Sequence, residues 1–179
     1  MKKLLLAAIV LSSLSIGAQA QSQSKSGGFK FGVGIDLALP TGDFGTTSSF
    51  GFGGQVQGEY MLADNISGIA SVGYQSFGGK TINDGSFSFK YPTTSLIPIL
   101  VGARFYPSEQ FFVGAQIGVG LLHASADGVS ANSSGFDYLP QVGYVAGPLQ
   151  FTLGYNGVSA SGGSLGSLQL SAVYTFGGN

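Results

Sequence analysis

From residue 29 onward, apolar and polar side chains alternate almost one for one, the period of a β-strand with a single apolar face. In the first stretch Phe29, Phe31, Val33, Ile35, Leu37 and Leu39 share a face, while Lys30, Gly32, Gly34, Asp36 and Ala38 take the other. A helix would scatter those six apolar residues around its circumference. The same reading predicts strands over 50–62, 66–78, 87–106, 111–121, 136–144, 149–155 and 168–176. The fourth is the longest: Phe87, Phe89, Tyr91, Ile97, Ile99, Val101, Ala103 and Phe105 keep one register, opposite Lys90, Thr94, Pro98, Gly102 and Arg104.

Eight strands in succession predict an all-β fold, an eight-stranded antiparallel up-and-down transmembrane β-barrel, because closure removes exposed sheet edges. The connections alternate in length. Those at 63–65, 107–110 and 146–148 are short; those at 40–49, 79–86, 123–134 and 159–164 are longer and rich in Gly, Ser, Thr and Asp. Short periplasmic turns and longer external loops are the habit of outer-membrane barrels. An even strand number then places both termini in the periplasm.

Alternation alone does not say which face meets lipid. A soluble lipocalin-like barrel would turn its apolar face to a ligand cavity instead. Three features favour the membrane. The apolar register carries no Asp, Glu, Lys or Arg; the strand charges Lys30, Asp36, Glu59, Lys90, Arg104 and Asp137 all fall in the other register. A midplane Lys or Arg on a lipid-facing strand costs about 2–4 kcal/mol, so a lipid face excludes it. The polar register is mostly Gly, Ser, Thr and Gln, which suits a filled lumen better than a water-facing surface. Aromatic residues of the apolar register gather near the strand ends, with Val33, Ile35, Val56, Ile99, Val101, Ile117, Val119 and Leu170 between them. Two aromatic belts around an aliphatic band mark two bilayer interfaces.

Composition agrees. Only 8% of residues are charged against 44% apolar, too few charges to solvate an ordinary globular surface. Beyond residue 20 no apolar run approaches the ~18 residues of a membrane helix. Cysteine is absent, which excludes disulfides, thiolate metal sites and a cysteine nucleophile. Residues 1–20 read as a cleaved signal peptide: Lys2 and Lys3, a short apolar core, then Ala18-Gln19-Ala20. Residues 21–28 form a polar periplasmic leader, 29–176 the barrel and 177–179 a short tail. Removing Lys2 and Lys3 leaves five basic against eight acidic residues, a net charge of about −3. Nucleic acid is not an expected partner.

With its eight segments, its Leu96-Ile97-Pro98-Ile99-Leu100 run and its aromatic last strand, the chain resembles the Bacteroidota outer-membrane β-barrel (porin-family) proteins, which are OmpA/OmpX-like in architecture. The resemblance implies that Tyr174 and Phe176 serve as the signal read by the barrel-insertion machinery, although Gly177-Gly178-Asn179 follow them. It implies no cofactor.

Two groups of residues could carry chemistry. His123, Ser125 and Asp137 resemble the Ser-His-acid arrangement of barrel-type lipid A deacylases. Parity opposes it, because His123 and Ser125 continue the lipid-facing register and Asp137 falls in the lumen register. Glu59 and Arg104 both lie near short turns and should share a depth in the lumen, with Lys30 nearby. They predict either a structural ion pair or the gate of a narrow pore. Asp43, Asp84 and Asp127 fall one per external loop and read as solvated charge rather than a metal site. The expectation is therefore a non-enzymatic outer-membrane barrel with a structural or surface-interaction role and outer-membrane lipid around it. A passive pore is the alternative, and a lipid A deacylase-like enzyme a distant one.

Overall fold

The computed structural model describes residues 28–177 apart from 85, 86, 127, 128 and 162. The expected signal peptide, most of the leader, and Gly178 and Asn179 lie outside the described residues. In chain order the elements are β1 (Phe29–Thr41), α1 (Gly42–Thr47), β2 (Ser48–Ala63), β3 (Ile66–Gly79), β4 (Thr81–Asp84), β5 (Phe87–Lys90), β6 (Thr93–Phe105), β7 (Phe111–Ala126), β8 (Val129–Ala146), β9 (Leu149–Ala160) and β10 (Gly163–Gly177). Eight of these strands close into an antiparallel barrel in the order β1-β10-β9-β8-β7-β6-β3-β2. The closing pair sets Val33 against Tyr174 and Ile35 against Ala172.

The period-2 pattern becomes a wall with two chemically distinct faces. Ile35, Val72, Val101, Ile117 and Leu170 stand outward and exposed, whereas Asp36, Ser71, Arg104, Gln116 and Ser171 are buried in the lumen. One end of the barrel carries both described chain ends and the short turns, and is called the turn end here. The other carries α1, the β4–β5 hairpin and the tip of the β7–β8 hairpin, and is called the loop end.

Two sequence expectations are corrected. The predicted strand over 87–106 is two elements. β5 pairs with β4, setting Lys90 against Thr81 in a two-stranded sheet separate from the barrel. The break falls at Tyr91-Pro92, where proline has no N–H to donate to a ladder and the Tyr91 N–H donates to Lys80 O at 2.9 Å. Lys90 is therefore on the separate hairpin and not on a barrel strand, as its place among the lumen charges had required. Conversely, much of the expected loop over 123–134 is strand: β7 runs on to Ala126 and pairs there with Val129 of β8. Strand pairing needs backbone N–H and C=O groups, which the Ser-, Ala- and Asn-rich stretch supplies without any apolar alternation.

Inward-facing apolar residues form a plug at the loop end. Ala38, Phe77, Leu96, Val158 and Leu165 are buried together, with Phe44 of α1 and Leu122 packed on them. Phe44 meets Phe77 edge to face, ring centres 5.0 Å apart. The Phe77 ring occupies space that a side chain at Gly51 would need, and the Phe112 ring does the same at Gly143. α1 starts at Gly42 with φ 58°, a left-handed conformation that glycine adopts without strain.

Candidate functional site

The lumen contains the candidate site, and its two halves differ. In the turn half, Glu59 of β2 and Arg104 of β6 are almost fully buried and form an ion pair, Nη1 to Oε2 3.1 Å. Ser67 of β3 donates to Glu59 Oε1 at 2.5 Å, and the Tyr106 hydroxyl donates to the same oxygen. Gln150 of β9 donates to Oε2 at 3.3 Å. Arg104 in turn donates to Gln150 Oε1 at 3.1 Å and to Gln57 Oε1 at 3.4 Å. Its guanidinium lies 4.3 Å over the Phe112 ring, a further attraction for a desolvated cation. The ring of Phe112 also touches that of Tyr106, centres 5.5 Å apart. Burial, and next the Glu59 carboxylate, push the Tyr106 hydroxyl up from its ordinary value of 10.0, so it remains a donor.

Bonded groups from β2, β3, β6 and β9, together with Phe112 of β7 against the guanidinium, thus span the turn half of the lumen. Charge-assisted hydrogen bonds to both partners offset the desolvation that would otherwise make a buried ion pair unfavourable. Lys30 faces Glu59 across the β1–β2 register at intermediate exposure. The cation paired with Glu59 among the described residues is Arg104 rather than Lys30.

In the loop half, Asp36 accepts from Gln55 at 2.8 Å and from Gln169 at 3.2 Å, and Gln75 donates to Gln169 Oε1 at 2.9 Å. Asp137 accepts from Asn156 at 2.7 Å. Neither aspartate has a cationic partner among the described residues. Ser71 and Gln116 bridge the middle, 2.8 Å apart. The unpartnered buried atoms among the described residues are Arg104 Nε and Gln141 Nε2, both donors, in the turn half; Gln75 Oε1, Asp137 Oδ2 and Asn156 Oδ1, all acceptors, in the loop half; and the hydroxyls of Thr152 and Ser167, which can do either.

The remaining sequence candidates do not assemble. His123 is exposed on the outer wall, its Nδ1 2.7 Å from Asn132 Oδ1. Ser125 is exposed on the same face, whereas Asp137 is fully buried in the lumen. The barrel wall separates acid from base. Asp43 lies in the first turn of α1, Asp84 ends β4, and Asp127 falls outside the described residues. Among the described residues no three His, Cys, Asp or Glu side chains gather as metal ligands would. Tyr174 and Phe176 sit on the outer side of β10 with ring centres 4.8 Å apart.

Sequence reasoning singled out Glu59 and Arg104 but passed over Gln57, Ser67, Tyr106, Phe112 and Gln150. Parity carried a signal for Tyr106 and Phe112, since both continue the lumen register of their hairpin. Amides and hydroxyls become recognisable as ligands of an ion pair only once the strands are in register.

Solved barrels share this architecture. Ail, the attachment invasion locus protein of Yersinia pestis, superposes with a TM-score of 0.60 at 14% identity, over 84% of this chain and 99% of that one. The N-terminal β-barrel domain of Pseudomonas aeruginosa OprF gives 0.56 at 9% identity, over 86% and 100%. Neisserial surface protein A gives 0.51 at 17% identity, over 83% and 97%. At these identities the likeness is one of fold. No curated protein matches the chain in sequence. The outer membrane protein beta-barrel domain matches residues 6–176, and the chain belongs to that outer-membrane family.

Proposed function

We propose that the mature chain is a structural or surface-interaction barrel whose lumen is shut, and that it does not work as a pore. The observation that carries this reading is the filling of the lumen from both ends. Glu59, Arg104 and their amide and hydroxyl partners occupy the turn half, and Phe77, Leu96 and Val158 close the loop half. The interior of an eight-stranded barrel is narrow enough for its own side chains to fill. In the same reading residues 1–20 are removed on export, Tyr174 and Phe176 guide insertion, both termini face the periplasm and the loop end faces outward.

One Yersinia Ail structure contains a heparin analogue, sucrose octasulfate, a polyanion. The present chain gives no support for the same ligand: without residues 1–20 its net charge is about −3, and the Lys80 amine at the loop end donates to Gly45 O at 2.5 Å. Planar-bilayer recording of the folded protein tests the proposal. The expected result is no steady conductance above the bare bilayer. Ohmic current steps that change when Glu59 or Arg104 is neutralised would overturn it and establish the pore.

A further inference from the structure

On the outer wall near the loop end, β3, β6, β7 and β8 share a groove of ≈ 720 Å³ whose chemistry changes along the barrel axis. Its floor toward the turn end is Ile97 and Leu121, continuous with the outward aliphatic band of Ile99 and Val119. Its other end is polar. The Tyr74 hydroxyl and Ser95 Oγ are 3.0 Å apart, and His123 is bonded to Asn132. Strand register makes this a continuous row: Ser76 faces Ser95, Ser95 faces His123, and His123 faces Asn132. On the far side of the barrel, outward residues somewhat deeper in the wall pair as Tyr155 against Leu168 and Leu168 against Leu39, with the Ser159–Ser164 pair nearer the loop end. At the loop end the outward faces of β6 and β7 carry no Phe or Tyr, and hydroxyl and imidazole groups stand there instead, next to the Asn132 amide of β8.

Depth places the row at the edge of the hydrocarbon. The outward face of β7 runs from Phe111 through Leu121 before reaching His123, and a tilted strand crosses the hydrocarbon in about 9–11 residues. The free hydrogen-bonding groups define what fits there. Asn132 Oδ1 only accepts, so His123 Nδ1 carries the shared proton; Nε2 is left free for a further hydrogen bond, and Asn132 keeps its amide donors. Within the Tyr74–Ser95 pair, whichever hydroxyl accepts retains its own hydrogen to donate. Among the described residues no Lys or Arg lines the groove. A mixed set of donors and acceptors without fixed positive charge matches sugar hydroxyls, each of which both donates and accepts, better than it matches a phosphate.

We propose that this groove is a headgroup site for a sugar-bearing membrane lipid, its hydroxyls bonded along the Ser95–His123–Asn132 row and its acyl chains lying on Ile97 and Leu121. The inference rests on the lipid contact of the outer wall and not on whether the lumen is shut.

Mass spectrometry of intact complexes tests it. The refolded mature chain in detergent is offered either a diglucosamine lipid without phosphate groups or phosphatidylglycerol of the same acyl length. Retention of the sugar lipid is expected to exceed that of phosphatidylglycerol about tenfold, as one or two net hydrogen bonds allow. Substituting His123→Leu together with Asn132→Leu is expected to bring the two to parity while heat-modifiable gel migration stays that of a folded barrel. Should that pair fail to fold, Tyr74→Phe removes a single hydroxyl and is expected to lower the preference about two- to threefold. Equal retention by the unsubstituted chain, or an unchanged preference in a folded variant, overturns the proposal. A preference for phosphatidylglycerol overturns it in favour of a phosphate site.

Discussion

The two halves of the lumen solve the same problem in opposite ways. Both are walled by the same eight strands and both must be filled. The turn half brings in a full ion pair and surrounds it with donors and acceptors from four strands. The loop half keeps two carboxylates bonded to neutral amides and closes over them with Phe77, Leu96 and Phe44. The contrast shows that buried charge is not one kind of feature. In the turn half a charge is balanced, so its removal leaves a partner stranded. In the loop half it is unbalanced, and its removal strands only neutral amides, two at Asp36 and one at Asp137.

The largest effect is expected from Arg104→Met. Breaking a buried pair by removing one partner costs about 3–5 kcal/mol, read as a shift of the urea unfolding curve of the liposome-inserted barrel. Adding Glu59→Gln should recover most of that loss, because the stranded charge is then gone. If the double variant is no more stable than Arg104→Met, the balance of charges is not what holds the turn half.

Phe77→Ala probes the other half. Truncating a buried Phe costs about 3–5 kcal/mol, in the same unfolding assay. Phe44→Ala should cost visibly less, since Phe44 is only partly buried on the plug. Equal costs would mean that α1 is as much a part of the plug as β3.

Tyr106 gives a smaller effect with a distinct pH signature. Tyr106→Phe removes a hydrogen bond to a charged group, about 1.5–3 kcal/mol. Burial and the Glu59 carboxylate raise the phenol in the folded chain above its ordinary 10.0. Below pH 10 the hydroxyl is neutral in both states and its contribution is complete. As pH rises past 10 the unfolded chain loses the proton first, so stability falls, by at most about 1.4 kcal/mol per pH unit for this one group. Unfolding free energies between pH 9 and 12 should therefore decline more steeply for the unsubstituted chain than for Tyr106→Phe. Parallel curves would remove Tyr106 from the account.

The smallest effect is expected from Asp137→Asn. It removes a carboxylate that has no cationic partner among the described residues, keeps the shape, and leaves Asn156 able to reorient its amide. A change within about 1 kcal/mol of zero, of either sign, is expected. A loss comparable with that of Arg104→Met would erase the distinction between the halves.

Much of this was legible before any coordinates. The one-for-one alternation around Ile35, Val101, Ile117 and Leu170 announced eight strands and their outward face, because side-chain direction in a strand depends only on parity. The same parity placed Glu59 and Arg104 in the lumen, and their nearness to short turns gave them a common depth. Breaks that preserve parity were invisible. Phe87, Phe89 and Tyr91 stay in step with Ile97 and Val101, so the fourth stretch read as one strand although Pro92 ends it and sends Lys90 into a separate hairpin. Pairing without apolar alternation was equally silent, which is why the β7–β8 hairpin around His123 and Asn132 read as a loop. Inward apolar residues such as Phe77 and Leu96 were passed over because an expectation of a polar lumen drew attention to Gln, Ser and Gly.

The lumen's closure at both ends is the central claim, and the absence of cysteine from the chain makes its most direct test clean. Ser71 faces the middle of the lumen, buried, with its hydroxyl on Gln116. In Ser71→Cys, a small membrane-impermeant thiosulfonate reagent should leave the folded barrel unmodified on mass measurement, and should modify it once Phe77→Ala or Arg104→Ala opens one end. Prompt modification of Ser71→Cys with both ends intact would contradict a shut lumen and return the barrel to the class of pores.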